Sequence, residues 1–206
     1  MKAFQHTPKP ATLVELLRGR ALADPVRRAY TFLTDGETQE VHLTLQKLDQ
    51  RARAIGASLQ DSGAKGERVL LLYPPGLEYI AAFFGCLYAG AVAVPVYPPR
   101  MNQNLVRLES IIKDSQPALT LTTSLSLSRS STQLDKTPTL KNLRYLATDT
   151  LDDELAEQWQ DLNVTSDNLA FLQYTSGSTS EPKGVMVSHA NLLHNAQMMK
   201  QACGHP

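Results

Sequence analysis

The sequence is short of several things, and each shortage removes a class of answer. Only two cysteines, Cys86 and Cys203, occur in 206 residues. That is too few for a disulfide scaffold and fits a reducing compartment, so the expected location is cytoplasmic. Both read as members of apolar helices, with Cys86 in the core. Net charge is lacking too: twenty Lys and Arg balance twenty Asp and Glu, so nothing in bulk drives the chain to nucleic acid or an anionic membrane. The five histidines have no metal-ligand spacing. His189 and His194 would diverge on a helix, and no metal site is expected. The opening MKAFQHTPKP lacks the apolar run of a signal peptide.

An uninterrupted hydrophobic run is the next absence. Twenty-one uncharged residues separate Glu78 from Arg100, long enough in number to span a bilayer. Gly85, Gly90 and Pro95 break the run, and Pro98-Pro99 closes it. It divides better into a buried helix, Leu77–Ala89, and a buried strand, Ala91–Val96, so no membrane span is expected.

What is present is alternation. Apolar residues at helical spacing over Ala11–Ala23 stop at Asp24-Pro25. Ala29–Leu33 and Thr38–Leu43 flank Thr34-Asp35-Gly36-Glu37, a hairpin signal. Thr44 can cap a helix whose face is Leu45, Leu48, Ala52, Ile55 and Leu59, ended by Gly63. Arg68–Tyr73 reads as a strand covered on both faces, which makes Val69–Val96 a βαβ unit. Asn104–Ser115 (helix), Ala118–Thr123 and Leu143–Ala147 (strands) and Leu151–Trp159 (a short acidic helix) continue the series. The stretch TTSLSLSRSSTQL fits either a strand end with a loop or a short helix. The expected class is α/β: βαβ units with a largely parallel sheet flanked by helices.

One loop stands out. Leu169–Tyr174 reads as a strand in, Val185–Val187 as a strand out, and Ser188 as the cap of a helix over His189–Gln201. Between the strands lies YTSGSTSEPKG, residues 174–184. Small residues free backbone N–H groups to close on an anion, hydroxyls donate to it and a lysine neutralises it, which points to phosphate. A solvated polar turn is the plain alternative. A Walker A loop is excluded, because counting from Gly177 gives Pro182, Lys183 and then Gly184 where Gly, Lys and Ser or Thr are required.

YTSGSTSEPKGVMVSH resembles the phosphate-binding signature of the acyl-adenylate-forming superfamily, which includes acyl-CoA synthetases, nonribosomal adenylation domains, luciferases and fatty acyl-AMP ligases. AYTFLTDGE, LLLYPPGLEYIAAFFGCLYAGAVAVPVYPPR and LQYTSGSTSEPKGVMVSH resemble the fatty acyl-AMP ligases in particular. The resemblance implies the N-terminal part of the large domain of such an enzyme, residues 1–206 being the first part of its AMP-binding (adenylation) domain. It implies ATP and Mg²⁺ as cofactors and a fatty acid as substrate. The acceptor would be the thiol of an acyl carrier protein, or of a polyketide or nonribosomal synthetase module, rather than coenzyme A.

By the match, Thr175, Ser176, Gly177, Ser178, Thr179 and Lys183 would contact the β- and γ-phosphates, with Lys183 the catalytic candidate. Gly184 would let the chain turn into the exit strand. His189 is a candidate for the substrate site, and Tyr97-Pro98-Pro99-Arg100 could border the acyl site or simply make a turn. Ser180 stands where the family usually has glycine. The groups that hold adenine, ribose and Mg²⁺, and the lysine of a mobile C-terminal domain, would lie downstream of this chain. The chain alone is therefore expected to be inactive. The alternatives are a long-chain acyl-CoA synthetase, or a non-catalytic module that binds nucleotide or a partner.

Overall fold

The computed structural model describes residues 9–98, 105–134, 137–175 and 182–204. Helix α1 (Leu13–Ala23) is capped by Thr12, whose side chain accepts from the Glu15 amide. Strands β1 (Arg28–Leu33) and β2 (Glu40–Thr44) form an antiparallel ribbon. Its turn is closed by the Asp35 carboxylate, which accepts from the amides of Glu37, Thr38 and Gln39. These three donors hold the Asp35 pKa well below the usual carboxylate range.

Thr44 then caps α2 (Leu45–Asp61), accepting from the Lys47 amide at 3.2 Å. The expected face of α2 is buried throughout. The helix packs on α3 (Leu77–Tyr88), and Gly85 makes the close approach possible. A Cβ at Gly85 would fall 2.4 Å from Ile55 Cγ2.

The main sheet is built from β3 (Arg68–Leu72), β4 (Val92–Val96), β5 (Leu119–Thr122), β6 (Tyr145–Ala147), β7 (Leu169–Thr175) and β8 (Lys183–Ser188). Their spatial order is β6-β5-β3-β4-β7-β8, all parallel except the edge strand β8. Alternation along β3 divides the core. Val69 and Leu71 face α1, α2 and α3, whereas Leu70 and Leu72 face α4 (Val106–Ser115) and the short α6 (Pro138–Lys141). Helices therefore cover both faces, as a near-continuous apolar strand requires.

Four sequence expectations change. The undecided serine-rich stretch is a helix, α5 (Ser124–Leu134). The acidic segment forms 3₁₀ turns, Thr148–Thr150 and Asp153–Gln158, not an α-helix, because its carbonyls are taken by α2 arginines. Cys203 is exposed at the C-cap of α7 (His189–Ala202), not inside an apolar helix, whereas Cys86 is fully buried. The exit strand begins at Lys183, two residues before the expected start.

Candidate functional site

In an open parallel sheet, ligands bind beyond the carboxyl ends of the strands. Here that edge carries a cavity of about 460 Å³. Its floor is the Tyr73–Leu77 turn that joins β3 to α3, its walls include Tyr79, Ile80 and Phe32, and Tyr97 and Gln173 close one side. The lining is mainly apolar and aromatic, with few polar groups, which is the usual make-up of an organic-ligand pocket. Tyr97 is 79% exposed at the rim; Pro99 and Arg100 lie outside the described residues.

The floor is fixed from behind. Tyr73 is buried and its hydroxyl lies 2.7 Å from Thr148 Oγ1. Thr148 Oγ1 in turn donates to the Thr122 carbonyl, which leaves Tyr73 as the donor in the pair. Burial pushes the phenols of Tyr73 and Tyr79 upward, so both stay neutral.

The phosphate-loop candidate leaves from the same edge. Thr175 ends β7 and Lys183 begins β8, and the two are register partners. The seven residues 176–182 are thus held at both ends by one antiparallel pair. Directly opposite residues share a face, and so do residues two apart on a strand. Lys183 and Thr175 therefore stand on the face of Gln173, which lines the cavity. Both are exposed. Ser176, Gly177, Ser178 and Thr179, with Ser180, lie outside the described residues.

Gly184 has a different reason from the expected one. It sits within β8 opposite Tyr174, and a Cβ there would come 2.9 Å from Tyr174 Cζ. Glycine is needed because an aromatic ring lies on it, not because the chain turns there.

His189 is elsewhere. It lies six residue steps beyond Lys183 along β8, roughly 20 Å at about 3.4 Å per residue, which takes it toward the opposite edge of the sheet. It is 1% exposed, its amide bonds to the Asn168 carbonyl, and its Nδ1 accepts from the Leu13 amide at 3.3 Å. Burial lowers its pKa. The residue ties α7 to the start of α1, which does not match the expectation of a substrate-site role.

The sequence reading missed Gln173, Tyr73 and the ribbon residue Phe32. Gln173 carried a usable signal, because it alternates with Tyr174 on the strand entering the loop. The ribbon's arrival over α3 left none.

An AMP-binding enzyme family matches residues 17–205. The chain belongs to the AMP-binding enzyme family. Among members of this family, it is 44% identical to JamA of Moorena producens, a medium-chain-fatty-acid–[acyl-carrier-protein] ligase, over 96% of this chain and 34% of JamA. It is 33% identical to the long-chain-fatty-acid–AMP ligase FadD32 of Mycobacterium marinum, over 95% of this chain and 32% of FadD32. In three dimensions it resembles a fatty acyl-adenylate ligase of L. pneumophila solved with acyl adenylate and pyrophosphate. The TM-score is 0.85 and the identity 42%, over 94% of this chain and 33% of that one. The chain thus spans about a third of the length of the AMP-binding relatives it matches. Among the described residues, no helix is long and apolar enough to cross a membrane.

Proposed function

We propose that the complete protein is an ATP-dependent fatty acyl-AMP ligase, with this chain as the N-terminal part of its adenylation domain. The observation that carries the reading is the shared edge: an apolar cavity and the two ends of a hydroxyl-rich loop face one another across Gln173. The apolar walls suit an acyl chain and the loop suits phosphate. In the reaction, a carboxylate oxygen of the fatty acid attacks the α-phosphorus of ATP. The bond to the β-phosphate breaks, and pyrophosphate leaves with growing negative charge. Thr175, Ser176, Gly177, Ser178, Thr179 and Lys183 are assigned to that charge. Donors fixed before the reaction stabilise it without reorganising.

Mg²⁺ would neutralise the phosphates in such a reaction. Among the described residues there is no cluster of three His, Cys, Asp or Glu to hold it, so no ligand on this chain is assigned. The acyl group then passes to a thiol, whose sulfur attacks the acyl carbon while AMP leaves. The name of JamA favours the phosphopantetheine thiol of an acyl carrier protein as that acceptor.

Pyrophosphate release and acyl-AMP formation by the complete protein, with ATP, Mg²⁺ and fatty acids of graded length, test the first half-reaction. Adding carrier protein or coenzyme A tests the second. Fatty-acid-dependent pyrophosphate and transfer to the carrier are expected. Release that does not depend on fatty acid would overturn the substrate assignment, and transfer to coenzyme A alone would overturn the acceptor.

A further inference from the structure

The loop's root is gripped from the face opposite the cavity. Tyr174 immediately precedes Thr175, is 6% exposed, and packs with Leu70, Leu72, Val94 and Leu108. Its ring lies on Gly184, its register partner. Its hydroxyl donates to Asp114 Oδ2 at 2.5 Å, across sixty residues of sequence. Asp114 belongs to the last turn of α4. Burial and the neighbouring carboxylate push the phenol's pKa upward, so the proton stays in that bond. A buried tyrosine always needs a partner for its hydroxyl. What exceeds ordinary core packing is the place: ring and bond act on the two residues that flank the ladder pair closing 176–182.

We infer that Tyr174 and Asp114 are positioning residues for the phosphate loop. The ring holds the β8 side of the root through Gly184, and the phenol–carboxylate bond fixes the β7 side to α4. The inference rests on the reading of 175–183 as a phosphate site. Neither residue touches the phosphates. They act through Thr175 and Lys183, each one residue away on the opposite face of its strand.

The experiment uses the complete protein and measures ATP affinity by calorimetry, fatty-acid affinity separately, and pyrophosphate release. Tyr174→Phe keeps the ring over Gly184 and removes only the bond. It is expected to weaken ATP binding about tenfold, as the loss of a hydrogen bond to a charged group does. Fatty-acid affinity should stay at the wild-type value. Asp114→Ala should repeat the effect, Asp114→Asn, which keeps an acceptor, should restore most of it, and Tyr174→Phe with Asp114→Ala should be no worse than either alone. Wild-type ATP affinity in Tyr174→Phe would overturn the inference. So would an equal loss of fatty-acid affinity, which signals general loosening. If wild type releases no pyrophosphate with any fatty acid, the proposed activity fails by itself, and the ATP-affinity comparison still decides the role of Tyr174.

Discussion

The molecule carries two concentrations of polar side chains, and they are treated in opposite ways. Along the seam between α2, α3 and the crossover from β6 to β7, charges are paired, with Asp49 and Arg51 buried. Arg51 donates to the carbonyls of Thr148 (2.7 Å) and Leu151 (3.0 Å) and to Asp153 (2.9 Å). Lys47 reaches the same Asp153 carboxylate. Asp49 accepts from Tyr88 at 2.7 Å and from Arg53 at 3.0 Å, with Arg18 close by and stacked on Trp159. At the sheet edge, by contrast, Thr175 and Lys183 stand exposed at the root of the loop.

The difference separates architecture from chemistry. Charges paired within the protein help to fix a crossover that also packs Leu151 and Trp159 on the core. Under the proposed function, the exposed Lys183 is there to meet a phosphate.

Arg51→Ala probes the seam and carries the largest expected effect. It leaves the Thr148 and Leu151 carbonyls without their donor and Asp153 with Lys47 alone, and should cost about 2–4 kcal/mol of stability. Thermal or denaturant unfolding measures it. An unchanged transition would mean that the seam does not hold the crossover. Gly184→Ala probes the root of the loop itself. The added Cβ forces the Tyr174 ring aside at about 1–3 kcal/mol, and ATP affinity should fall with stability; a neutral substitution would mean that the ring yields freely. Ser180→Gly, at the position where the family usually has glycine, is expected to preserve activity or raise it slightly, relieving strain of about 1 kcal/mol if that position needs positive φ. A large loss in pyrophosphate release would show that Ser180 makes a contact of its own.

The smallest effect belongs to His189. Its folded pKa lies below the ordinary 6.5, so the unfolded chain binds the extra proton first as pH falls. Stability from this group is complete above pH 6.5 and declines as pH drops through and below that value. His189→Asn should flatten the slope of unfolding free energy against pH in that window. An unchanged slope would assign the dependence to other groups.

Much of this was legible in the sequence wherever one residue's pattern decides one element. The face of α2, its Thr44 cap and the βαβ unit follow from spacing and capping chemistry alone. The family was legible because hydroxyls, glycine and lysine in a fixed order have few uses. The seam was not legible. Asp49, Arg51 and Arg53 interleave with the apolar positions of α2 and look like its solvent side, until a crossover about a hundred residues later lies across them. The same limit hid Tyr174, whose partner Asp114 is sixty residues away. Gly184 showed the need for glycine but not the reason, since a ring across a strand and a turn ask for the same residue. His189 misled because adjacency to a signature is not adjacency to its loop once a strand runs the other way.

Pyrophosphate release by the complete protein and by its Lys183→Ala variant, read beside their unfolding transitions, tests the division most directly. Under the proposed function the lysine's charge meets a leaving group, and Lys183 stands exposed at the root of the loop. Its loss should therefore cost about 2–4 kcal/mol of transition-state stabilisation, a fall in rate of roughly a hundred- to a thousandfold. Fatty-acid affinity and the unfolding midpoint should stay where they are. Equal rates in the two proteins, or a midpoint that falls with the rate, would contradict the assignment of this lysine to chemistry and of the buried seam to architecture.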